Sequence, residues 1–152
     1  MIEIALFQPD IAPNAATIIR MAVCLGLKVT IIEPAGFAWT DSSFRRAGMD
    51  YLDRAAVQRS PSWEEFRKET RGRRLVLLST KAETPYTAFN FEPDDIILMG
   101  QEGSGVPQAI HDLVQARIRI PMKPGERSLN VSLACAMVTG EALRQTAGFP
   151  VP

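Results

Sequence analysis

Cysteine occurs twice and histidine once in the 152 residues of this chain, and that scarcity removes whole classes of function. Cys24 and Cys135 lie in separate apolar, helix-patterned segments without any Cys-x-x-Cys spacing, so each is expected as a small buried hydrophobe and not as a metal or redox ligand. A single His111, following Ile110 in a short helical stretch, excludes a histidine-rich metal site, and a surface or capping role is expected of it. No metal is expected. Apolar runs of membrane-spanning length are missing, and Met1-Ile2-Glu3-Ile4 has no basic secretory start. The expected location is cytoplasmic, with no membrane partner.

Excess charge of either sign is missing as well. The 17 basic and 17 acidic residues cancel, which argues against a generic nucleic-acid coat that works by neutralising phosphates. A local basic patch is still allowed. Arg45-Arg46 and Arg71-Gly72-Arg73-Arg74 crowd the first half, and a solvated charged face accounts for any one such pair. Arg117, Arg119, Lys123 and Arg127 are denser, and they follow a glycine-rich loop.

What is present is the make-up of a soluble globular chain, 46% hydrophobic and 22% charged, of a size for one domain over residues 1–152. Strand patterns at Ile2–Phe7, Lys28–Ile32, Leu75–Ser79, Asp95–Met99 and Ala116–Ile120 alternate with helical ones, and Ala56–Gln58 reads as a brief strand. Asn14 is an N-cap candidate for a first helix ending at Gly26. Phe37 to Met49 reads as loop and short helix. Ser62-Trp63-Glu64-Glu65 is a capping box, Gln108–Leu113 a short helix, and the last helix runs from Asn130 to about Gln145. Alternation of this kind means an α/β fold with a mostly parallel sheet flanked by helices.

The densest chemical signal is Ile96-Ile97-Leu98-Met99-Gly100-Gln101-Glu102-Gly103-Ser104-Gly105-Val106-Pro107. A strand runs into three glycines and an acid at the place where open α/β sheets bind ligands. The order is neither a Walker loop nor a dinucleotide fingerprint, because no Lys-Ser/Thr follows Gly105 and the spacing is G-x-x-G-x-G. A plain tight turn is the alternative. Two further constellations are Ser128-Leu129-Asn130-Val131-Ser132, able to cap the last helix or to meet a polar ligand, and Asn14 with Arg20. The last helix is rich in small residues, Ala134, Cys135, Ala136 and Gly140, which suit either deep burial or a subunit contact.

Taken together, Asn14–Arg20, Gly100–Pro107 and Ile118–Ser132 resemble the three motifs of the SPOUT superfamily of RNA methyltransferases. Within it, Gln8-Pro9-Asp10-Ile11-Ala12-Pro13-Asn14, Ile31 to Trp39 and Arg45-Arg46-Ala47-Gly48-Met49-Asp50-Tyr51 are similar to the subfamily that 2′-O-methylates the tRNA wobble nucleotide, cytidine or uridine 34. The resemblance implies a deep trefoil knot in the C-terminal third, against the usual rule on threading. It also implies a homodimer acting on the tRNA anticodon stem-loop, with S-adenosylmethionine as cofactor and the active site completed by the partner.

Carried onto this chain, the resemblance places the cofactor against the backbone of Leu78, Gly100, Ile120 and Ser128. Thr80, Met99, Glu102, Gly105, Met122, Leu129 and Asn130 line or support the pocket. Arg20, Asn14 and Asn130 are the catalytic candidates. Because a guanidinium keeps its proton, Arg20 is expected to grip the phosphate beside the target ribose and stabilise the developing alkoxide, with Asn14 holding Arg20 or the RNA backbone. Gly140, where relatives carry an aromatic residue, and Gly103-Ser104, where some carry Thr-Arg, depart from the pattern. A ribosomal RNA 2′-O-methyltransferase and a non-catalytic nucleotide-binding protein are the competing readings.

Overall fold

The computed structural model describes residues 1–152. In chain order the elements are β1 (Glu3–Phe7), α1 (Ala12–Leu25), β2 (Lys28–Ile32), α2 (Ser42–Gly48), α3 (Tyr51–Arg54), β3 (Val57–Ser60), α4 (Trp63–Glu69) and β4 (Leu75–Leu78). Then follow β5 (Thr84–Pro85), a 3-10 turn (Tyr86–Ala88), β6 (Ile96–Met99), α5 (Gln108–Leu113), β7 (Ala116–Arg119) and α6 (Val131–Thr146). The strands form one sheet in the order β3-β2-β1-β6-β4-β7-β5, and all six pairings are parallel.

Both sheet faces are covered, and the period-two alternation of the strands shows how. Ile4 and Leu6 of β1, Val76 of β4 and Ile97 and Met99 of β6 enter one core with α1, α2 and α6. Their neighbours Ala5, Phe7, Leu75, Leu77, Ile96 and Leu98 enter the other, against Phe66 of α4 and Ile110 of α5. Continuous apolar strands with no polar face are the signature of such doubly covered sheets.

Several local expectations are corrected by the structure. Helix α1 begins at Ala12 and is capped by Ile11, which offers no side-chain acceptor, so Asn14 is not the N-cap. Proline tolerates the first helical turn, where its missing N–H costs nothing, and Pro13 therefore lies inside the helix. Cys135 is fully buried, but Cys24 is exposed. At about 100° per residue Cys24 lies about 200° around α1 from buried Ala22, on the outer face. The 3-10 turn, β5 and α3 are elements that the sequence pattern does not single out.

The basic runs are also reassigned. Arg74 grips Asp95 through two bonds of 2.8 and 2.7 Å, and Asp95 is only 1% exposed. Arg73 bonds Glu3 and the Asp94 carbonyl. The Arg117 guanidinium donates to the carbonyls of His111, Asp112 and Val114, so it caps α5 and does not face a ligand. These arginines are structural, which a run of charges in sequence could not disclose.

Candidate active site

A cavity of about 740 Å³ opens at the carboxyl ends of β1, β4, β6 and β7, four neighbours in the sheet. Its walls are the segments that leave these strands: Ile11 and Asn14, Leu77 to Lys81, Met99 to Val106, then Ile120 and Met122, closed by Arg127 to Val131. Strand order reverses at this point, since the chain builds outward from β1 to β3 and then returns to the other side. Ligands settle at such crossings because two loops diverge and leave room between them.

The glycine loop is shaped by its own backbone. Gln101 and Gly105 exchange N–H···O bonds of 2.9 and 3.0 Å, closing residues 101–105 into a small antiparallel bridge. A Cβ on Gly100 would come within 2.6 Å of the Gly105 backbone, whereas one on Gly103 would meet open space. Gly105 has φ +64°, the left-handed region open to glycine. The glycines at 100 and 105 therefore serve loop closure as well as bordering the cavity. Gln101 Nε2 ties the loop to the Gln8 carbonyl at 3.1 Å, and Ser104 Oγ bonds Gln101 Oε1 at 2.7 Å.

Glu102 projects from this loop and receives the Asp10 N–H at 3.3 Å. Partial burial, with the neighbouring Asp10 carboxyl as the lesser cause, holds its carboxyl above the usual range. Of the groups lining the cavity it is the only carboxylate. On the far wall Asn130 does two things at once. Its Oδ1 accepts the N–H groups of Ser132 at 2.8 Å and Leu133 at 3.4 Å, capping α6, while its Nδ2 donates to Asn14 Oδ1 at 3.1 Å. Freed from capping α1, the Asn14 side chain is what ties the first helix to the last.

All ten residues expected at a cofactor, Leu78, Thr80, Met99, Gly100, Glu102, Gly105, Ile120, Met122, Ser128 and Leu129, border this one cavity, as do Asn14 and Asn130. Arg20 does not. It lies six positions after Asn14, which places the two about 120° apart around the helix. Its Nη1 donates to Met49 Sδ at 3.5 Å and its guanidinium stacks on Tyr51, 5.0 Å from the ring centre. Asn14 thus holds Asn130, and the expectation that it holds Arg20 is corrected.

Sequence reasoning passed over Lys81 and Gln108 and expected a surface or capping role for His111, yet all three line the cavity. His111 Nε2 is buried without a hydrogen-bond partner there. The rule that ligands gather beyond strand ends would have found Lys81, three residues past β4. Nothing in the order of residues marks His111.

Chemically, the cavity offers backbone polar groups at three strand ends, apolar walls from Leu78, Met99, Ile120, Met122 and Leu129, and one acid. With Lys81 and Arg127 beside it, that set suits a ligand carrying both apolar and charged portions. The SpoU rRNA Methylase family matches residues 1–140. The chain belongs to that family.

Individual relatives agree. The tRNA (cytidine(34)-2'-O)-methyltransferase of Beijerinckia indica is 59% identical over 145 residues, which cover 93% of this chain and 90% of that protein. A solved structure bearing on the 2-OH methylation of C/U34 on tRNA superposes with TM-score 0.91 at 32% identity, covering 95% of each chain. The SpoU methyltransferase AviRb from Streptomyces viridochromogenes, solved in complex with AdoMet, gives TM-score 0.81 at 26% identity, over 94% of this chain and 59% of that one.

Proposed function

We propose that this chain is a tRNA 2′-O-methyltransferase that acts on the wobble nucleotide, cytidine or uridine 34, within the anticodon stem-loop. The observation that carries the reading is the cavity at the strand ends, bordered by all three motif segments and joined across by the Asn14–Asn130 bond. Full-length similarity to relatives bearing that activity in their names sets the substrate class.

S-adenosylmethionine, when bound, supplies a sulfonium methyl group to the attacking oxygen. Backbone groups at Leu78, Gly100 and Ile120 would hold its polar edges, and Met99, Met122 and Leu129 would cover its apolar face. Glu102 sets a negative charge in a pocket that must accept a cation. The remaining task is to place a ribose hydroxyl in line and to stabilise the charge it develops. Lys81 and Arg127 at the cavity mouth, neither of them ion-paired, suit RNA phosphate.

Arg20 lies outside the cavity of its own chain, so in this reading a second copy brings it to the site. Helix α6 supports a dimer, because Leu133 and Met137 are 61% and 43% exposed beside exposed Ala136 and half-buried Gly140. An apolar, small-residue stripe of that kind lets another helix approach closely. Threading of the C-terminal third into a trefoil knot and a cytoplasmic location complete the proposal, and no helix is long and apolar enough to cross a membrane.

The deciding test is a transfer assay with methyl-labelled S-adenosylmethionine and tRNA from a strain lacking this protein, read by nucleoside mass and fragment mapping. Label on a ribose at position 34 is expected. Label only in ribosomal RNA would move the substrate, and neither label nor cofactor binding would sink the assignment.

A further inference from the structure

Arg20 is held by two uncharged groups. Met49 Sδ takes one N–H at 3.5 Å, and the face of the Tyr51 ring lies 5.0 Å from the guanidinium carbon. Acids are close in sequence but engaged elsewhere, Asp53 with Arg45 at 2.8 Å and Asp50 with Arg54 at 3.8 Å. Arg54 also stacks on Tyr51, at 4.6 Å, so a single ring carries two guanidiniums. Met49, which presents the sulfur, has φ +52° without being glycine, a backbone state that costs energy and persists only where the surroundings impose it.

The way a cation is held decides what it can still do. A carboxylate partner would take two N–H donors and cancel the charge. An aromatic face meets the flat side of the guanidinium and leaves the in-plane N–H edge and the full charge available. The Met49 sulfur takes one donor weakly. Arg20 is therefore fixed in direction while still able to make a bidentate contact to a phosphate.

We infer that Tyr51 is a positioning residue that aims Arg20 at the RNA phosphodiester by stacking, while Arg54, which shares the ring, is committed to Asp50. The inference rests on the proposed function and on the phosphate-gripping role expected of Arg20 from the motif resemblance. Its chemistry is that of the ring face and not of the phenol hydroxyl, which separates it from an ordinary packing or hydrogen-bonding role.

The test is a double-mutant cycle on binding of an anticodon stem-loop RNA to the full-length protein. It uses Tyr51→Phe, Tyr51→Leu, Arg20→Ala and Tyr51→Leu combined with Arg20→Ala, with the thermal midpoint and S-adenosylmethionine affinity of each variant measured alongside. Tyr51→Phe should bind RNA as the parent does. Tyr51→Leu should weaken RNA binding by about ten-fold, the upper range for a cation–aromatic contact, while cofactor affinity stays the same. In the Arg20→Ala background the Tyr51→Leu change should have no further effect.

A second readout needs no RNA. The side-chain proton resonances of Arg20 should show an upfield ring-current shift that Tyr51→Leu removes and Tyr51→Phe keeps. Independent, multiplying losses in the cycle, or equal loss with Phe and Leu, would overturn the positioning role while wild-type RNA binding left the functional reading intact. Absence of RNA binding by the parent protein would overturn both.

Discussion

Asn130 Nδ2 donates to Asn14 Oδ1 at 3.1 Å, joining two helices whose contact residues are 116 positions apart in the chain. The same Asn130 oxygen caps α6. Asn130→Ala should cost about 1 kcal/mol or somewhat more, since it removes a cap as well as the tie. Asn14→Ala removes the tie alone and should cost less. Urea unfolding of both variants checks the order, and a larger loss for Asn14→Ala would mean that the cap contributes little.

Glu102 yields a pH prediction whose sign follows from its environment. Its folded-state affinity for a proton is raised, so the stability it contributes is present below the ordinary carboxylate range and lost as pH rises through the raised value. Ligand-free Glu102→Gln should therefore be more stable than the parent near neutrality. A cation in the cavity favours the carboxylate, so affinity for S-adenosylmethionine should climb as pH rises from the ordinary carboxylate range through the raised value in the parent and stay nearly flat in Glu102→Gln. Calorimetric titration across that range tests both statements.

Complementation tests whether Arg20 acts across a subunit boundary. Arg20→Ala should lose methyl transfer while still binding cofactor. Gly100→Val should lose the cofactor site, because its side chain would collide with the Gly105 backbone. Refolded together, the two inactive variants should regain a fraction of parental transfer, through mixed dimers that hold one intact site. No recovery would place Arg20 in its own chain's site or in a purely structural role.

Met137→Glu places a charge on the exposed stripe of α6 without touching the core, as Met137 is 43% exposed. Light scattering should show a shift from dimer to monomer, with transfer lost and the thermal midpoint of the separated chain little changed. A dimer that survives this substitution would put the interface elsewhere.

Much of this architecture was legible because doubly covered strands write themselves as apolar runs, and β1, β2, β4, β6 and β7 fall within a residue or two of the expected places. The cavity lining was legible through motif resemblance, which located Leu78, Met99 and Ile120 at strand ends. What sequence could not supply was direction. That Asn14 reaches α6 while Arg20 turns to α3 depends on where α1 begins, and its cap, Ile11, lies three residues before the expected one. The job of Arg117 was hidden for a related reason, because a guanidinium that collects three carbonyls looks in sequence like one that collects phosphates.

Three residues apart in the same loop, Gly100 and Gly103 have opposite prospects under mutation. Any side chain at position 100 strikes the backbone opposite, while position 103 looks into free space. A saturation library selected for function should return glycine alone at the first and a broad alphabet at the second. The closed bridge thereby gives the loop one fixed post and one site open to variation, so sequence change can accumulate at 103 without disturbing the wall of the cavity behind it.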